Sequence, residues 1–586
     1  MILDDPRLIE RWTRAGWWGE TTIDDLFREC VRRFPDRLAL VDAPNRPLFA
    51  FGEPQRLTFR DVDRAVDRLA ATLLGIGVGK DGVVVAQLPN IVEMVIAFLA
   101  CARLGAIISP VTLSYGARDV RRIVAHLRPV AFLTLVSFKA SRPARIAADI
   151  CAQAGGGTVV LGLGREPESG VRVIDGIAGL DGDLDPLRRH LATVSITANE
   201  IVTMHWTSGT TGDPKCVPRS HNTWHATGGC CTDAGGLKPG ERILAPMQMV
   251  HTAGMSGVIM PWLETQGMIA LHHPFDMEVY LEQIEAHGIN HTVAAPAMLN
   301  ALLKHGTLDH RNVSSVRSIL CGSAPLDAWM IEGFKQRYNI EIVNAFGSTE
   351  GLTFLSGPSI THDPLRRARY FPRFRASPAR SHAPPGTNAA DLDWGVRIAA
   401  SMDTRLRDLE TQAEIDAPGT PGEMLFLSPA LFPGYWTEAH TLDRRDFDAD
   451  GYFRSGEIFE IAGDGAERDF FHYVDRLKDV INRGGVKIPT GELEAAIQNH
   501  PKVREAAAIG YPDDLLGERI CAVVALVPGA TLGLEELLVD LKAAEIPRFM
   551  LPERLEVIEA LPRNASGKVL KRLLANEIGG RAQPVQ

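Results

Sequence analysis

Nine consecutive residues, Thr207-Ser208-Gly209-Thr210-Thr211-Gly212-Asp213-Pro214-Lys215, combine more chemical potential than any other stretch of this chain. Four hydroxyls and a lysine can all donate to phosphate oxygens, and two glycines let the backbone turn tightly against an anion. The loop follows Ile201-Val202-Thr203-Met204, a plausible strand, so it sits where anions are bound at the carboxyl end of a sheet. It is not a Walker loop. Lys215 falls three residues beyond Gly212 and is followed by Cys216 rather than by Ser or Thr.

The rest of the chain is a scaffold of ordinary composition. Its 586 residues exceed one compact core, so two or more domains are expected. Lys plus Arg number 62 and Asp plus Glu 72, and this net charge of -10 argues against a nucleic-acid partner. Eight cysteines with no CxxC pair support neither a disulfide scaffold nor a zinc ribbon. The N-terminus lacks the pattern of a secretory signal. The most apolar run, Val95 to Val111, is interrupted by Arg103 and reads as a buried helix entering a strand. The cytoplasm is the expected location, without integral membrane association.

Helical and strand patterns alternate through the first third. Val62, Val66, Leu69 and Leu73 share a helix face, Val83 to Ala86 form an apolar run, and Ile91 to Arg103 lead into Ala106 to Ile108. Arg118 to Leu127 then precede Val130 to Val136. This alternation predicts mixed sheets covered by helices. Beyond Asp475 a new alternation begins, with helices at Glu492 to Asn499 and Leu534 to Ala544 and strands at Val503 to Ile509 and Ile520 to Leu526. These predict a small second α/β domain. Between Arg366 and Arg380 lie six arginines and no acid, which read first as a solvated loop, next as an anion contact for a substrate phosphate, and last as a nucleic-acid contact.

The phosphate loop resembles that of the adenylate-forming superfamily: acyl-CoA synthetases, nonribosomal adenylation domains and luciferases. Four further motifs follow in the family's order. Asn344-Ala345-Phe346-Gly347-Ser348-Thr349-Glu350 is similar to its aromatic-Gly-x-Thr-Glu motif. Arg454-Ser455-Gly456-Glu457 stands where the family has Thr-Gly-Asp, Asp475 to Glu494 matches its hinge, and Leu561 to Lys568 matches its C-terminal lysine motif. The resemblance spans essentially the whole chain. It implies a large N-terminal domain of helix-covered mixed sheets that binds ATP and the acid, residues 1–477, and a small mobile domain, residues 478–586, that carries the catalytic lysine.

The resemblance also implies roles. The loop, from Thr207 through Ser208, Gly209, Thr210, Thr211 and Gly212 to Lys215, would hold the β- and γ-phosphates of ATP. Gly322, Ser323 and Ala324 would let backbone pack on the nucleotide and the acyl pocket. Asn344, Ala345, Gly347 and Ser348 would border the nucleotide, with Phe346 as the aromatic face toward adenine. Thr349 would contact phosphate and Glu350 would ligate Mg²⁺. Glu457 would accept from the ribose hydroxyls, one methylene longer than the family's Asp, and Arg476 would bind the ribose-phosphate region. Asp475 departs from the family's Gly. Lys568 would bridge carboxylate and α-phosphate, Lys478 would be the hinge, and Gly484 and Gly485 would pass a pantetheine arm.

Pro218 to Asn222 and the Trp12 to Trp18 region are most similar to aryl-acid-AMP ligases and cyclohexanecarboxylate-type acyl-CoA ligases. His251, Thr252, Met255 and Gly257, with Gly322, would line the acid pocket, His251 as gate or wall. The siderophore-type Asn after this His is missing, which argues against 2-hydroxybenzoates. The expected reaction is ATP-dependent activation of an aromatic, alicyclic or medium-chain acid to an acyl-adenylate, then transfer to CoA. Only eighteen residues follow Lys568, so the acceptor is expected to be a separate molecule. A free carrier protein or an amine is the alternative acceptor, and a non-catalytic nucleotide- or acyl-binding relative is the alternative class. A monomer or homodimer is expected.

Overall fold

The computed structural model describes the chain except residues 156, 177–179, 181–182, 208–213, 374–401, 514, 564–568 and 580–586. It separates into two compact units. The first gathers Met1–Thr207, Lys215–Asp403 and Leu427–Arg445; the second is mainly Thr404–Phe426 and the chain from Asp446 onward. The expected boundary at 477/478 falls within this second unit.

The first unit is built on two large sheets. One runs in the order Leu442–Asp443, Tyr435–Trp436, Cys216–Ser220, Ile201–Trp206, Ile107–Pro110, Val83–Gln87, Ala131–Leu135, Val159–Leu163, Arg172–Ile174. The other runs Thr353–Ser356, Glu341–Gly347, Ser318–Gly322, His291–Ala294, Arg242–Ala245, Met268–Leu271, Leu38–Val41, Arg56–Thr58. Most neighbouring pairs are parallel, with antiparallel pairs at the edges and at the strands Ile201–Trp206 and Cys216–Ser220. The expected helix-covered mixed sheets are the ones observed, and the alternation seen in the sequence falls within a few residues of the real elements.

Local chemistry starts and stops these elements. Thr22 and Thr58 each close a capping box, with Asp25 and Asp61, at the starts of helices Ile23–Arg33 and Phe59–Gly75. Gly105 ends helix Val92–Leu104 in the left-handed region and delivers the chain into strand Ile107–Pro110. That helix is buried throughout, which explains why its sequence lacks a polar face. Arg103 within it is neutralised by Asp24, Asp63 and Asp67. Among the described residues no helix is long and apolar enough to cross a membrane. All eight cysteines are buried thiols.

In the second unit, one sheet orders Phe470–Arg476, Phe453–Ile461, Gly422–Leu427, Asp403–Arg407 and Glu414–Ile415. A second orders Val486–Ile488, Ile481–Arg483, Gly517–Leu526 and Val503–Asp513, with Arg554–Val557 beside Gly517–Leu526. Helices Gly491–Gln498 and Leu534–Ala543 bury Leu493, Ile497, Leu537 and Leu541 in its core.

One aromatic cluster joins the core of the first unit to the helical segment that follows His251. Trp262 stacks on Phe59 at 5.6 Å and 5° and meets Phe27 at 6.2 Å. Trp262 belongs to helix Met260–Thr265, which continues the turn that begins at His251. Trp262→Ala is expected to cost about 3–5 kcal/mol, the usual penalty for emptying a buried aromatic site. Urea unfolding followed by circular dichroism measures it.

Candidate active site

Strand Ile201–Trp206 is fully buried and pairs antiparallel with Cys216–Ser220, so the phosphate loop is the connection between two core strands. Its ends are clasped: Thr207 N donates to Lys215 O at 2.9 Å, and Lys215 N donates to Thr207 Oγ1 at 3.0 Å. Ser208, Gly209, Thr210, Thr211 and Gly212 lie outside the described residues. The mouth of the loop is thus fixed by the sheet even where its interior is not described.

At that mouth Lys215 and Glu350 meet through a residue the sequence reading passed over. The Lys215 ammonium sits 4.2 Å from the centroid of the Tyr435 ring, and the Tyr435 hydroxyl donates to Glu350 Oε1 at 2.7 Å. Glu350 itself is held by its backbone. Phe432 N donates to its carbonyl at 2.9 Å, and Gly351 (φ +118°) lies so close to Ala430 that a Cβ would stand 2.1 Å from the Ala430 carbonyl oxygen. Glycine is the residue that fits there.

The neighbouring Thr349 is held from behind. The Arg219 guanidinium, fully buried, donates to the Thr349 carbonyl at 3.0 Å, to the Thr223 carbonyl at 3.0 Å and to Thr227 Oγ1 at 2.6 Å. Asn344 is also structural in part, donating its amide to the carbonyls of Arg367 and Ala368 at 2.9 and 3.1 Å. Phe346, half-buried, meets Phe371 edge-on at 5.9 Å. Ala345, Gly347 and Ser348 complete the end of this strand and the turn after it. Gly322 pairs with Ala345 so closely that a Cβ would lie 2.1 Å from its carbonyl. Ser323 then adopts φ +77°, a left-handed conformation costing about 1 kcal/mol or more for a residue with a Cβ, and Ala324 follows it. Of the arginine-rich stretch, Arg367 is a core residue paired with Glu341 at 2.8 Å, and Arg375 and Arg380 lie outside the described residues.

His251 caps a short helical turn, Thr252–Gly254, which runs into a π-helical segment, Met255–Ile259. Such i→i+5 segments recur at functional sites because they push a side chain out of register. Met255 and Gly257 are buried there, and a Cβ on Gly257 would touch Leu320 at 3.1 Å. His251 Nε2 and Thr252 Oγ1 are buried without a hydrogen-bond partner. Burial pulls the His251 pKa down, so the ring is neutral.

In the second unit Glu457 and Arg476 face each other across paired strands, with Nε to Oε1 at 3.3 Å, and the Tyr473 hydroxyl donates to Glu457 Oε2 at 3.2 Å. Burial raises the Glu457 pKa to about 7, against the lowering pull of Arg476. Asp475 is buried and accepts from Thr490 Oγ1 at 2.8 Å and from Arg476 N at 2.7 Å. Lys571 joins this group, donating to Thr490 Oγ1 at 2.7 Å and pairing with Glu494 at 2.8 Å. Asp475 is therefore the anchor of a buried polar network. Lys478 sits exposed in the turn after strand Phe470–Arg476, where Asp479 N and Val480 N both donate to Arg476 O. Gly484 (φ +61°) and Gly485 (φ +85°) form the two-residue turn of the hairpin Ile481–Arg483/Val486–Ile488, where positive φ is required at both positions. Lys568 lies outside the described residues.

The model of AMP-binding enzymes matches residues 27–436, and that of the AMP-binding enzyme C-terminal domain matches residues 492–568. The chain belongs to the AMP-binding enzymes. It is 26% identical to the medium-chain fatty-acid–CoA ligase of Escherichia coli, over 97% of this chain and 92% of that one. It is 27% identical to the salicyl-AMP ligase / salicyl-S-ArCP synthetase of Mycobacterium tuberculosis, over 97% and 93%. The fold is similar to that of ATP-bound MatB from Rhodopseudomonas palustris, with TM-score 0.72 and 22% identity over 96% of this chain and 99% of that one. The expected superfamily, fold class and enzyme class, an AMP-forming ligase, are borne out.

In this AMP-binding enzyme, sequence reasoning missed Tyr435, Arg219, Tyr473 and Lys571. Arg219 lies within Pro218–Asn222 and Tyr435 within Gly434-Tyr435-Trp436, but neither residue type announces its contact partner. Tyr435→Phe keeps the ring under Lys215 and removes the bond to Glu350. It is expected to raise the KM for MgATP about three- to tenfold, the loss of one hydrogen bond to a charged acceptor. Acid-dependent ATP–pyrophosphate exchange reads it.

Glu457 gives a pH signature. Its folded pKa of about 7 lies above the ordinary 4.5, so the fold favours the protonated form. That contribution is complete below pH 4.5 and is lost as pH rises through 7. The stability of Glu457→Gln relative to the parent is therefore expected to rise from pH 5 to pH 8, by up to about 3 kcal/mol across that range. Urea midpoints across that range measure it.

Proposed function

We propose that this enzyme converts a carboxylic acid and ATP to an acyl-adenylate and pyrophosphate, then passes the acyl group to the thiol of CoA. The observation that carries this is the junction of Lys215, Tyr435 and Glu350 at the mouth of the phosphate loop. A cation and a metal-ligating carboxylate at that place suit a polyphosphate, and the family match makes the nucleotide ATP.

In the first half-reaction a carboxylate oxygen of the acid bonds to the α-phosphorus while the bond to the pyrophosphate oxygen breaks. The loop Thr207–Lys215 and Thr349 bind the departing phosphates, with Arg219 fixing the Thr349 backbone. Glu350 Oε1 is occupied by Tyr435, which leaves Oε2 for a hard cation, so the residues fit Mg²⁺ shared with phosphate oxygens. Mg²⁺ would supply charge neutralisation there. Phe346 offers adenine an aromatic face, Glu457 accepts from the ribose hydroxyls and Arg476 binds beside them. Lys568 neutralises the charge that develops between carboxylate and phosphate.

In the second half-reaction the CoA sulfur attacks the acyl carbonyl and AMP leaves. A mobile domain beginning at Lys478 withdraws Lys568 and presents the Gly484–Gly485 turn to the pantetheine arm. The turn at Leu477 and Lys478, exposed between strand Phe470–Arg476 and strand Ile481–Arg483, suits a hinge. The acid is aromatic, alicyclic or medium-chain, and the enzyme works in the cytoplasm. The salicyl-AMP ligase similarity favours a second acceptor, the thiol of a separate carrier protein.

Lys568→Ala is expected to reduce acyl-adenylate formation at least a hundredfold while ATP still binds. Lys478→Pro is expected to block thioester formation with adenylation retained. Both are read by mass spectrometry of reactions containing ATP, Mg²⁺ and pooled acids, with and without CoA. Acyl-CoA in one sample and acyl-AMP in the other supports the reading. Unchanged turnover of the Lys568 variant, or equal loss of both half-reactions in the Lys478 variant, counts against the roles assigned.

A further inference from the structure

One buried carboxylate ties together the two sides of the turn at Lys478. Asp475 lies on strand Phe470–Arg476, three residues before Lys478, and is 5% exposed. Its Oδ1 accepts from Arg476 N at 2.7 Å. Its Oδ2 accepts from two donors beyond the turn, Thr490 N and Thr490 Oγ1, the latter at 2.8 Å. A carboxylate only accepts and an ammonium only donates, so the Thr490 hydroxyl gives its hydrogen to Asp475 and accepts from Lys571 at 2.7 Å. Lys571, which opens helix Lys571–Gly579, also pairs with Glu494 at 2.8 Å.

The backbones meet at the same place. Gly491 opens helix Gly491–Gln498, and a Cβ there would stand 2.8 Å from the Val474 carbonyl oxygen. Even alanine would wedge the helix away from the strand. On the strand side Arg476 pairs with Glu457, so the carboxylate that grips Thr490 adjoins the pair assigned to the ribose. Lys478 itself is exposed. Turning the chain beyond Lys478 as one body would carry Thr490, Gly491 and Lys571 away together and strip Asp475 of both Thr490 donors. A buried carboxylate that loses its donors is costly, so these contacts favour the orientation observed.

We propose that Asp475 is a positioning residue: with Thr490, Gly491 and Lys571 it latches the chain beyond Lys478 against strand Phe470–Arg476, and release of this latch controls passage between the two half-reactions. The inference rests on the two-step reading with its hinge at Lys478. Asp475 touches no reacting atom in this scheme. It acts on the population of one orientation, so loosening it slows the step that uses the latched orientation and spares or speeds the other. A residue that merely stabilised the fold would depress both steps alike.

The test reads orientation and rates separately, on the full chain. Spin labels on Glu414→Cys and Val539→Cys report orientation without any substrate, by pulsed electron resonance. Both positions are exposed, one before and one after Lys478 in the chain, and the eight native thiols are buried. The parent is expected to give a single narrow distance. Asp475→Ala and Gly491→Ala should each double its width or add a second distance, and Asp475→Asn, which keeps one acceptor, should do so less. Gly491→Ala is the sharper variant, because alanine ordinarily favours a helix and removes no charge. Cooperative urea transitions confirm that the variants fold. The rates are ATP–pyrophosphate exchange with benzoate, cyclohexanecarboxylate or octanoate, and single-turnover transfer from the matching acyl-adenylate to CoA. Their ratio is expected to shift at least fivefold, in the same direction, in Asp475→Ala and Gly491→Ala. A distance distribution unchanged in both variants, or two rates that fall by the same factor, would overturn the latch. Widened distances with no exchange for any acid would count against the ligase reading and leave the latch standing.

Discussion

A buried positive charge organises the catalytic side of the first unit. Arg219 is fully enclosed, lies 4.4 Å from the centroid of the Trp224 ring, and gives every nitrogen of its guanidinium to groups of the protein: Thr223, Thr227 and the Thr349 carbonyl. Desolvation lowers its pKa to about 9, with the charges of Asp4 and Glu350 opposing that shift. An ion in this position is affordable only because each of its nitrogens has an acceptor and countercharges stand near. It follows that strand Cys216–Ser220, helix His221–Ala234 and the Thr349–Glu350 turn cannot move independently. The Thr207–Lys215 connection opens from the first of these, the segment Met255–Ile259 packs against the second, and Glu350 sits on the third.

The same constraint reaches the start of the chain. Asp4 is buried with one oxygen unpartnered, and burial raises its pKa to about 7 against the pull of Arg219 and Arg444. Ile201 N accepts the chain's beginning into the sheet by donating to Met1 O at 2.8 Å. Asp4 therefore belongs to the electrostatics around Arg219. Nothing in the composition of Met1 to Asp5 foretold this, because a carboxylate near a terminus is ordinarily solvated.

What was legible in the sequence is what depends on local pattern. The helix at Phe59–Gly75, the strands at Val83–Gln87 and Ala131–Leu135, and the second-unit helices announced themselves through periodicity. The ordered motifs announced the family. Residues whose meaning comes from a distant partner stayed hidden. Tyr435 matters because it stands between Lys215 and Glu350, and Lys571 because it enters the Asp475–Thr490–Glu494 network. Asp475 looked like a defect in a glycine position, yet the fold gives it two side-chain and backbone donors from Thr490 and a third from Arg476. A substitution that seems to weaken a motif has instead acquired a partner set of its own.

The polar and apolar halves of the site answer different demands. Phosphate chemistry needs charge held rigidly, and the structure supplies it through Arg219, the clasped loop mouth and the pinned Glu350. Selection of an acid needs neutral groups whose hydrogen-bond state is fixed before the ligand arrives. Trp224 Nε1 donates to Thr203 Oγ1, which lies 3.1 Å from His205 Nδ1, so a neutral polar chain runs from helix His221–Ala234 into strand Ile201–Trp206. Trp224 belongs to the same helix whose Thr223 and Thr227 bind Arg219, so this neutral chain and the buried charge share one packing unit.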